Sequence, residues 1–241
     1  MNERWKWELH GYWLALQGRF DPVQCYLHSL SIAEPDSTPK QLASMLINVA
    51  HFHDDAGRYE GAEPLYRRTL DIREQVLGKD HPDTLSSMND LSLLLINKNE
   101  FVEANMLCNH ILEVRERVLG KEHPATLLSM NNLAGLLMSK KDYYGAEPLF
   151  RRVLEARERV LGNEHPDTLQ SVGNLAVLLH YMGDYAGSET LNIRALEGRE
   201  RTLGKEHPHT LISVDSLATL FNIKGDYKSA ELLYHRALEI G

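Results

Sequence analysis

The sequence predicts an all-α fold, a solenoid of antiparallel helix pairs, and three observations support this prediction. First, the dipeptide His-Pro begins at residues 81, 123, 165 and 207, a constant spacing of 42 residues that is typical of repeat proteins. Second, apolar residues such as Met130, Leu133 and Leu137 recur at helical spacing, and a second such run follows a short polar break. Third, each break contains residues that suit a turn. Each unit is therefore predicted to contain two helices.

The predicted turns explain where the helices end. The break inside each unit has one register that holds Gly57, Asn99, Lys141, Gly183 and Gly225. Glycine and asparagine suit the left-handed end of a helix. A lysine at position 141 should cost about 1 kcal/mol in that conformation. Between units, a Leu-Gly dipeptide is predicted to end the second helix in the same way. The proline of His-Pro suits the first position of the next helix.

Three further registers identify the kind of repeat. A small residue recurs in the first helix at Ala50, Ser92, Ala134, Ala176 and Ala218. An aromatic residue opens the second helix at Tyr59, Phe101, Tyr143, Tyr185 and Tyr227, and a small residue follows three positions later. In this pattern the chain resembles the tetratricopeptide repeat family, and phrases such as NNLA, GDY and REQVLGKDHPDTL resemble its kinesin-light-chain type. The resemblance implies a right-handed superhelical solenoid whose first helices line a concave face.

The repeats predict the organisation of the chain as one solenoid over residues 1–241. Regular repeats are expected at 39–80, 81–122, 123–164 and 165–206. Residues 1–38 are expected to form a degenerate N-terminal repeat, because Gly11, Gly18 and Phe20 match the later units. A truncated last repeat is expected at 207–241. It contains no polar capping helix, so we expect either a longer protein or an end covered by a neighbour.

Composition favours a cytoplasmic protein that binds neither nucleic acid nor membrane. The net charge of −8 argues against nonspecific binding of nucleic acid, which needs a basic face. No run of 18 apolar residues predicts a membrane span, and the N-terminus is too polar for a signal peptide. Cys25 and Cys108 fall in different repeats, so no disulfide framework is expected.

The sequence predicts no enzyme, no metal and no cofactor. The motifs GxSxG, GxxxxGK[ST] and GxGxxG are absent. The histidines of the His-Pro dipeptides are too far apart to share an ion, because neighbouring helices pack roughly 8 to 10 Å apart. Residues 51–55, with the sequence HFHDD, place His51 and Asp54 on one helix face. We interpret this cluster as a solvated groove edge rather than a metal site.

Arginines recur on the second helices beside glutamates. The pairs are Arg67 with Arg68, Arg115 with Arg117, Arg151 with Arg152, Arg157 with Arg159, and Arg199 with Arg201. Glu113 with Arg117 and Glu155 with Arg159 have the favourable i, i+4 spacing. We predict a salt-bridged outer surface. The alternative is that an acidic partner docks on this ridge.

The first helix of each unit contains polar residues at matching positions, and these residues predict the function. Because the resemblance implies that these helices line a concave face, we predict a peptide-binding groove there. Asparagine has both a donor and an acceptor, which match an extended peptide backbone. In the alternative interpretation, the asparagines bond the backbone of the neighbouring repeat, and the two roles are compatible. The predicted groove residues are Asn48, His51, Asn89, Asp90, Asn131, Asn132, Asn174, Asp215 and Ser216.

The predicted function is a scaffold that binds an extended segment of a partner protein or peptide. Family members that clamp a C-terminal carboxylate use lysine and arginine in the first helices, and the matching positions here include Ile47, Ser86 and Leu128. Recognition of a free C-terminus is therefore not expected. Two alternatives remain: a sensor or regulatory array of a larger signalling protein, and an array that self-associates through its ends.

Overall fold

The computed structural model describes residues 38–240, which form ten α-helices and, within that range, no strand. The helices are α1 (Pro39–Asp55), α2 (Tyr59–Leu77), α3 (Pro82–Asn97), α4 (Phe101–Leu119), α5 (Pro124–Ser139), α6 (Tyr143–Leu161), α7 (Pro166–Met182), α8 (Tyr185–Leu203), α9 (Pro208–Lys224) and α10 (Tyr227–Ile240). The predicted all-helical repeat fold is confirmed. The degenerate repeat expected at residues 1–38 lies, except for Thr38, outside the described residues, as does Cys25.

The His-Pro dipeptides begin the first helices of four hairpins. Each of these histidines adopts an extended conformation at the N-cap, and its Nδ1 accepts a hydrogen bond from the backbone N–H two residues later. These bonds measure 3.1 Å at His81 and 3.2 Å at His123, His165 and His207. They satisfy one of the backbone donors that a helix start leaves unpaired. The repeated histidines are therefore helix caps.

The turns within and between hairpins have different conformations. Lys141 has φ 62°, and the equivalent Gly183 has φ 83° and ψ 4°, so the turn inside each hairpin is left-handed as predicted. Gly78, which ends α2, has φ 89° and ψ 162°. This is an extended conformation that is essentially restricted to glycine. The prediction that both turns end a helix in the same way is therefore wrong.

The chain divides into two compact units, one ending at Val114 and the other beginning at Arg115, inside α4. The core of the first unit contains Leu46, Tyr66 and Leu94, each at most 1% exposed. In the second unit Ala134, Phe150 and several other buried residues of α5 to α8 form one cluster. Leu196, Val214 and Leu217 form another, against which residues of α10 pack.

Small residues lie where the two helices of a hairpin meet. Ala134 in α5 and Ala146 in α6 are both fully buried, and so are Ala176 in α7 and Ser188 in α8. The hydroxyl of Ser188 donates to the carbonyl of Ala176 at 2.9 Å, so the helices approach closely at this register. None of the helices from α1 to α10 combines the length and apolar character that a membrane crossing requires.

Candidate functional site

The predicted groove residues lie on the first helix of each hairpin and point away from the core. Their neighbours in sequence, such as Leu91, Leu133 and Leu175, are buried. Asn48, His51 and Asp215 are exposed, and the remaining six are half-buried. The structure brings together one group in each unit.

In the second unit, Asn131 of α5 and Asn174 of α7 form a pair. The Nδ2 of Asn174 donates to the Oδ1 of Asn131 at 2.9 Å. One predicted alternative was a bond to the neighbouring repeat, and the observed partner is a side chain rather than the backbone. In the described part of the chain, neither the Nδ2 of Asn131 nor the Oδ1 of Asn174 has another hydrogen bond. The pair therefore presents at least one donor and one acceptor on this helix face.

The last two predicted residues differ from this pair. The hydroxyl of Ser216 donates to the carbonyl of Ile212 at 2.9 Å, one turn earlier in α9. This is a common local bond for serine in a helix. Asp215 is exposed. The structure brings neither residue into the amide pair.

In the first unit, His51 of α1 lies beside Asp90 of α3. The Nε2 of His51 is 3.5 Å from the Oδ2 of Asp90, and its ring meets that of Tyr66 edge-on at 5.6 Å. Tyr66 donates to the Oδ2 of Asp54 at 3.3 Å. Burial raises the pKa of the Asp54 and Asp90 carboxyl groups and, together with these carboxylates, of the Tyr66 hydroxyl. Asn89 donates to Asp90 and partly offsets that rise.

Sequence reasoning missed Tyr66, because the same register holds Cys108, Phe150 and Asn192 in later repeats and has the spacing of a core position. Among the described residues, no group of three or more histidine, cysteine, aspartate or glutamate side chains could hold a metal ion. The cluster is a hydrogen-bonded polar network on the same helix face as the predicted groove.

Four arginines on the second helices bond inward, and this corrects the predicted outer surface. Each donates from Nη1 to the hydroxyl of the serine fourteen residues later, at 2.6 to 2.8 Å, and to the backbone carbonyl ten residues later. The pairs are Arg73 with Ser87, Arg115 with Ser129, Arg157 with Ser171, and Arg199 with Ser213. Burial lowers the pKa of Arg115, Arg157 and Arg199. The constant fourteen-residue spacing is the signal that could have revealed them.

A salt-bridged surface is formed, as predicted, by Arg67, Arg151, Arg152, Arg159 and Arg201. Arg67 bonds both Glu63 and Glu103. The bonds from Lys98 and Arg67 lower the pKa of the Glu63 carboxyl group, and the bond from Arg67 lowers that of Glu103. Arg159, expected to pair with Glu155, bonds Glu122 before α5 instead. The bonds of Arg67 to Glu103 and of Arg159 to Glu122 connect successive hairpins within a unit.

Arg199 also lies next to the groove register of α7. Its Nη2 donates to the carbonyl of Leu169 at 3.5 Å, and a Cβ on Gly173 would lie 3.6 Å from the same nitrogen. Gly173 directly precedes Asn174 and occupies the register of Asn131. The Arg199 guanidinium group therefore lies beside the backbone of α7 one residue before Asn174.

The helix pairs, the 42-residue period and the repeated helix caps define a helical repeat protein. The chain belongs to the tetratricopeptide repeat family. Profiles of this repeat match residues 42–83, 84–125 and 126–167, and also 172–241. The repeats are of the kinesin-light-chain type. They are 25% identical, with a TM-score of 0.72, to the nearly identical TPR-like repeats of a Podosopora anserina protein named as a kinesin light chain. That match covers 85% of this chain and 96% of the other.

Further comparisons support the fold. BtubC (BKLC) of P. vanneervenii is 23% identical over 90% of this chain and 89% of its own, with a TM-score of 0.73. A Rap protein complexed with Competence and Sporulation Factor is 16% identical over 99% of this chain and 74% of its own, with a TM-score of 0.64. A nucleotide-binding leucine-rich repeat (NLR)-like protein of Hyaloscypha variabilis is 41% identical over 55 residues, 23% of this chain. That match spans 6% of the relative's length. Tetratricopeptide repeats generally mediate interactions between proteins.

Proposed function

We propose that the second unit binds an extended segment of a partner protein across α5 and α7. The observation that supports this proposal is the pair of Asn131 and Asn174, which retains a donor on one amide and an acceptor on the other. An extended backbone offers N–H and C=O groups in alternation, so it can bond to both. Charged side chains could supply only one kind of group.

Arg199 supports a preference for an acidic residue in that segment. Arg199 is 9% exposed, and its hydrogen bonds in the described part of the chain go to two backbone carbonyls and one serine hydroxyl. No carboxylate neutralises it there. A guanidinium group favours carboxylate partners, and burial strengthens the attraction. An acidic side chain next to the amide pair would supply the missing counter-charge.

Alanine variants of the two asparagines test the proposal. Ligand peptides are first selected from a displayed library of short random sequences, and their affinities are measured by fluorescence polarisation. Asn131→Ala and Asn174→Ala should each weaken binding by about 1 to 3 kcal/mol, because a peptide group is left unpaired. Ser216→Ala is the matched control, since this hydroxyl is bonded within its own helix and its loss should leave affinity unchanged.

Melting curves of the same variants separate binding from folding. If Asn131→Ala and Asn174→Ala leave affinity unchanged but lower the melting temperature sharply, the amides serve to hold adjacent hairpins together. The binding face would then have to be placed elsewhere.

A regulatory array within a longer signalling protein is a second candidate function. It is supported by the similarity to an NLR-like protein of which the matched region is a small part. Sequencing the full transcript in the source organism tests it. A nucleotide-binding region encoded in frame with these repeats would support the candidate, and a transcript that encodes repeats alone would reject it.

A further inference from the structure

The second unit contains a cavity of about 340 Å³ at the starts of α5 and α7 and the end of α6. Its volume falls at the lower end of the range for small-molecule sites. Leu128, Val160 and Leu161 form much of its wall and are 45%, 54% and 37% exposed. Three large apolar side chains that are open to solvent therefore converge on one space.

The cavity at residues 123–164 is larger than the corresponding space in the first unit. The corresponding space in the first unit, beside Ser44 and Arg73, has a volume of about 30 Å³. Leu128 occupies the register of Ser44 and Ser86 in the two preceding repeats. Repeat stacking alone therefore does not require an apolar wall here.

A buried cation lies in the wall of this cavity. Arg157 is 7% exposed, and its Nη1 donates to the carbonyl of Asp167 and the hydroxyl of Ser171, both at 2.8 Å. Its Nε and Nη2 donate no hydrogen bond within the described part of the chain. The Asp167 carboxylate attracts the guanidinium group from a distance, but no ion pair joins the two. Two donor nitrogens of this nine-tenths buried side chain thus bond no group in the described part of the chain.

We propose that this cavity binds a small organic acid, with its carboxylate on Nε and Nη2 of Arg157 and its hydrocarbon chain against Leu128, Val160 and Leu161. A guanidinium edge and a carboxylate match in geometry and charge. A water molecule occupies about 30 Å³ in the liquid. If each non-hydrogen atom of a ligand takes about this volume, the cavity holds roughly ten such atoms. Octanoate has this size. The site does not use Asn131 or Asn174, so it is independent of the proposed peptide face.

A substitution of Asp167 tests whether the bound ligand is an anion. Asp167 also lines the cavity, and its side chain is 55% exposed. It should repel a bound anion, so Asp167→Asn should tighten octanoate binding by about twofold or more. The backbone carbonyl that Arg157 uses is unchanged in this variant. A site that binds octanoate by apolar contact alone would not respond to this substitution.

The experiment is a titration with octanoate, followed by NMR of the Arg157 Nε–H and the Leu128 methyl groups. Leu128→Ser inserts the residue of the two preceding repeats and should weaken binding about fivefold through lost apolar contact. Ile212→Ser is the matched control, because Ile212 has the same register in α9, is 56% exposed and lies outside the cavity wall. It should leave affinity unchanged. Uncharged octanamide should bind about tenfold more weakly than octanoate.

The opposite results overturn the proposal. No saturable shift up to millimolar octanoate, equal binding of octanamide, or weaker binding to Asp167→Asn would each refute it. A peptide ending in a free C-terminal leucine, compared with its amidated form, tests the other source of an apolar carboxylate. If that peptide binds the cavity while octanoate does not, the ligand is a chain terminus and the small-acid proposal is wrong. Asn174→Ala should not affect octanoate binding, whatever becomes of the peptide face.

Discussion

Replacing Lys141 by glycine should stabilise the protein. Lys141 has φ 62° at the turn between α5 and α6, where three of the other four hairpins have glycine. The left-handed conformation costs a residue with a Cβ roughly 1 to 2 kcal/mol. Lys141 is exposed, and its backbone N–H donates to the carbonyl of Met138 at 2.8 Å. Glycine keeps this bond and removes the steric cost.

The gain in the free energy of unfolding is smaller than the steric cost that is removed, because glycine also gives the unfolded chain more conformational freedom. That freedom costs about 0.4 to 1 kcal/mol. The net stabilisation should be about 0.5 to 1 kcal/mol. For a chain of this length, 1 kcal/mol corresponds to roughly 2 to 4 °C, so we expect a melting temperature about 1 to 4 °C higher.

Lys140→Gly is the control, since it removes the same charge one residue earlier. Lys140 has φ −76°, a right-handed helical value at which glycine only adds freedom to the unfolded chain. The melting temperature of the Lys140→Gly variant should therefore fall. Circular dichroism melts would measure both variants, and hydrogen exchange would locate the effect at the turn. A rise for both variants, or a fall for Lys141→Gly, would refute the argument that backbone strain at residue 141 is relieved.

Three further predictions concern packing, protonation and metals. Ala134→Leu should overpack α5 and cost about 1 to 3 kcal/mol, with hydrogen exchange rising first in adjoining helices; a uniform rise would contradict this. The raised pKa of Asp90 means that the folded state holds this proton more tightly, so this stabilisation is complete below the usual 3.8 and is lost as the pH rises through the folded pKa. Asp90→Asn should therefore flatten the pH dependence of the melting temperature. Chelators should leave the melting curve unchanged, and a fall restored by zinc would contradict this.

The elements that sequence predicts best are those that local interactions determine. The proline after His123 fixes a helical φ at the first position of α5, and the histidine itself caps that helix. Both effects act within two residues. The turn at Lys141 is predictable for another reason, because the register of a repeat imposes the backbone conformation even where the residue disfavours it. The ψ of Gly78 depends on how the connector returns to α3, which no local rule predicts.

Partners of side chains were harder to predict, because they lie on other helices. Asn131 and Asn174 are 43 residues apart in sequence, and the 42-residue period predicts that they are neighbours but not that they bond. For Arg159, the local rule predicted Glu155. An i, i+4 pair contributes only about 0.2 to 0.5 kcal/mol. A favourable partner on the preceding connector, Glu122, can therefore displace it.

The arginine and serine pairs indicate where specificity can reside in such a chain. Arg73, Arg115, Arg157 and Arg199 each make the same two contacts to the next hairpin, so those contacts serve stacking and distinguish no ligand. What differs is the residue beside each guanidinium group. Leu128 adds an apolar wall to the cavity at Arg157, and Gly173 places no side chain beside Arg199. The variable neighbour, rather than the shared contacts, is therefore the feature by which these hairpins can differ in the anion that they accept.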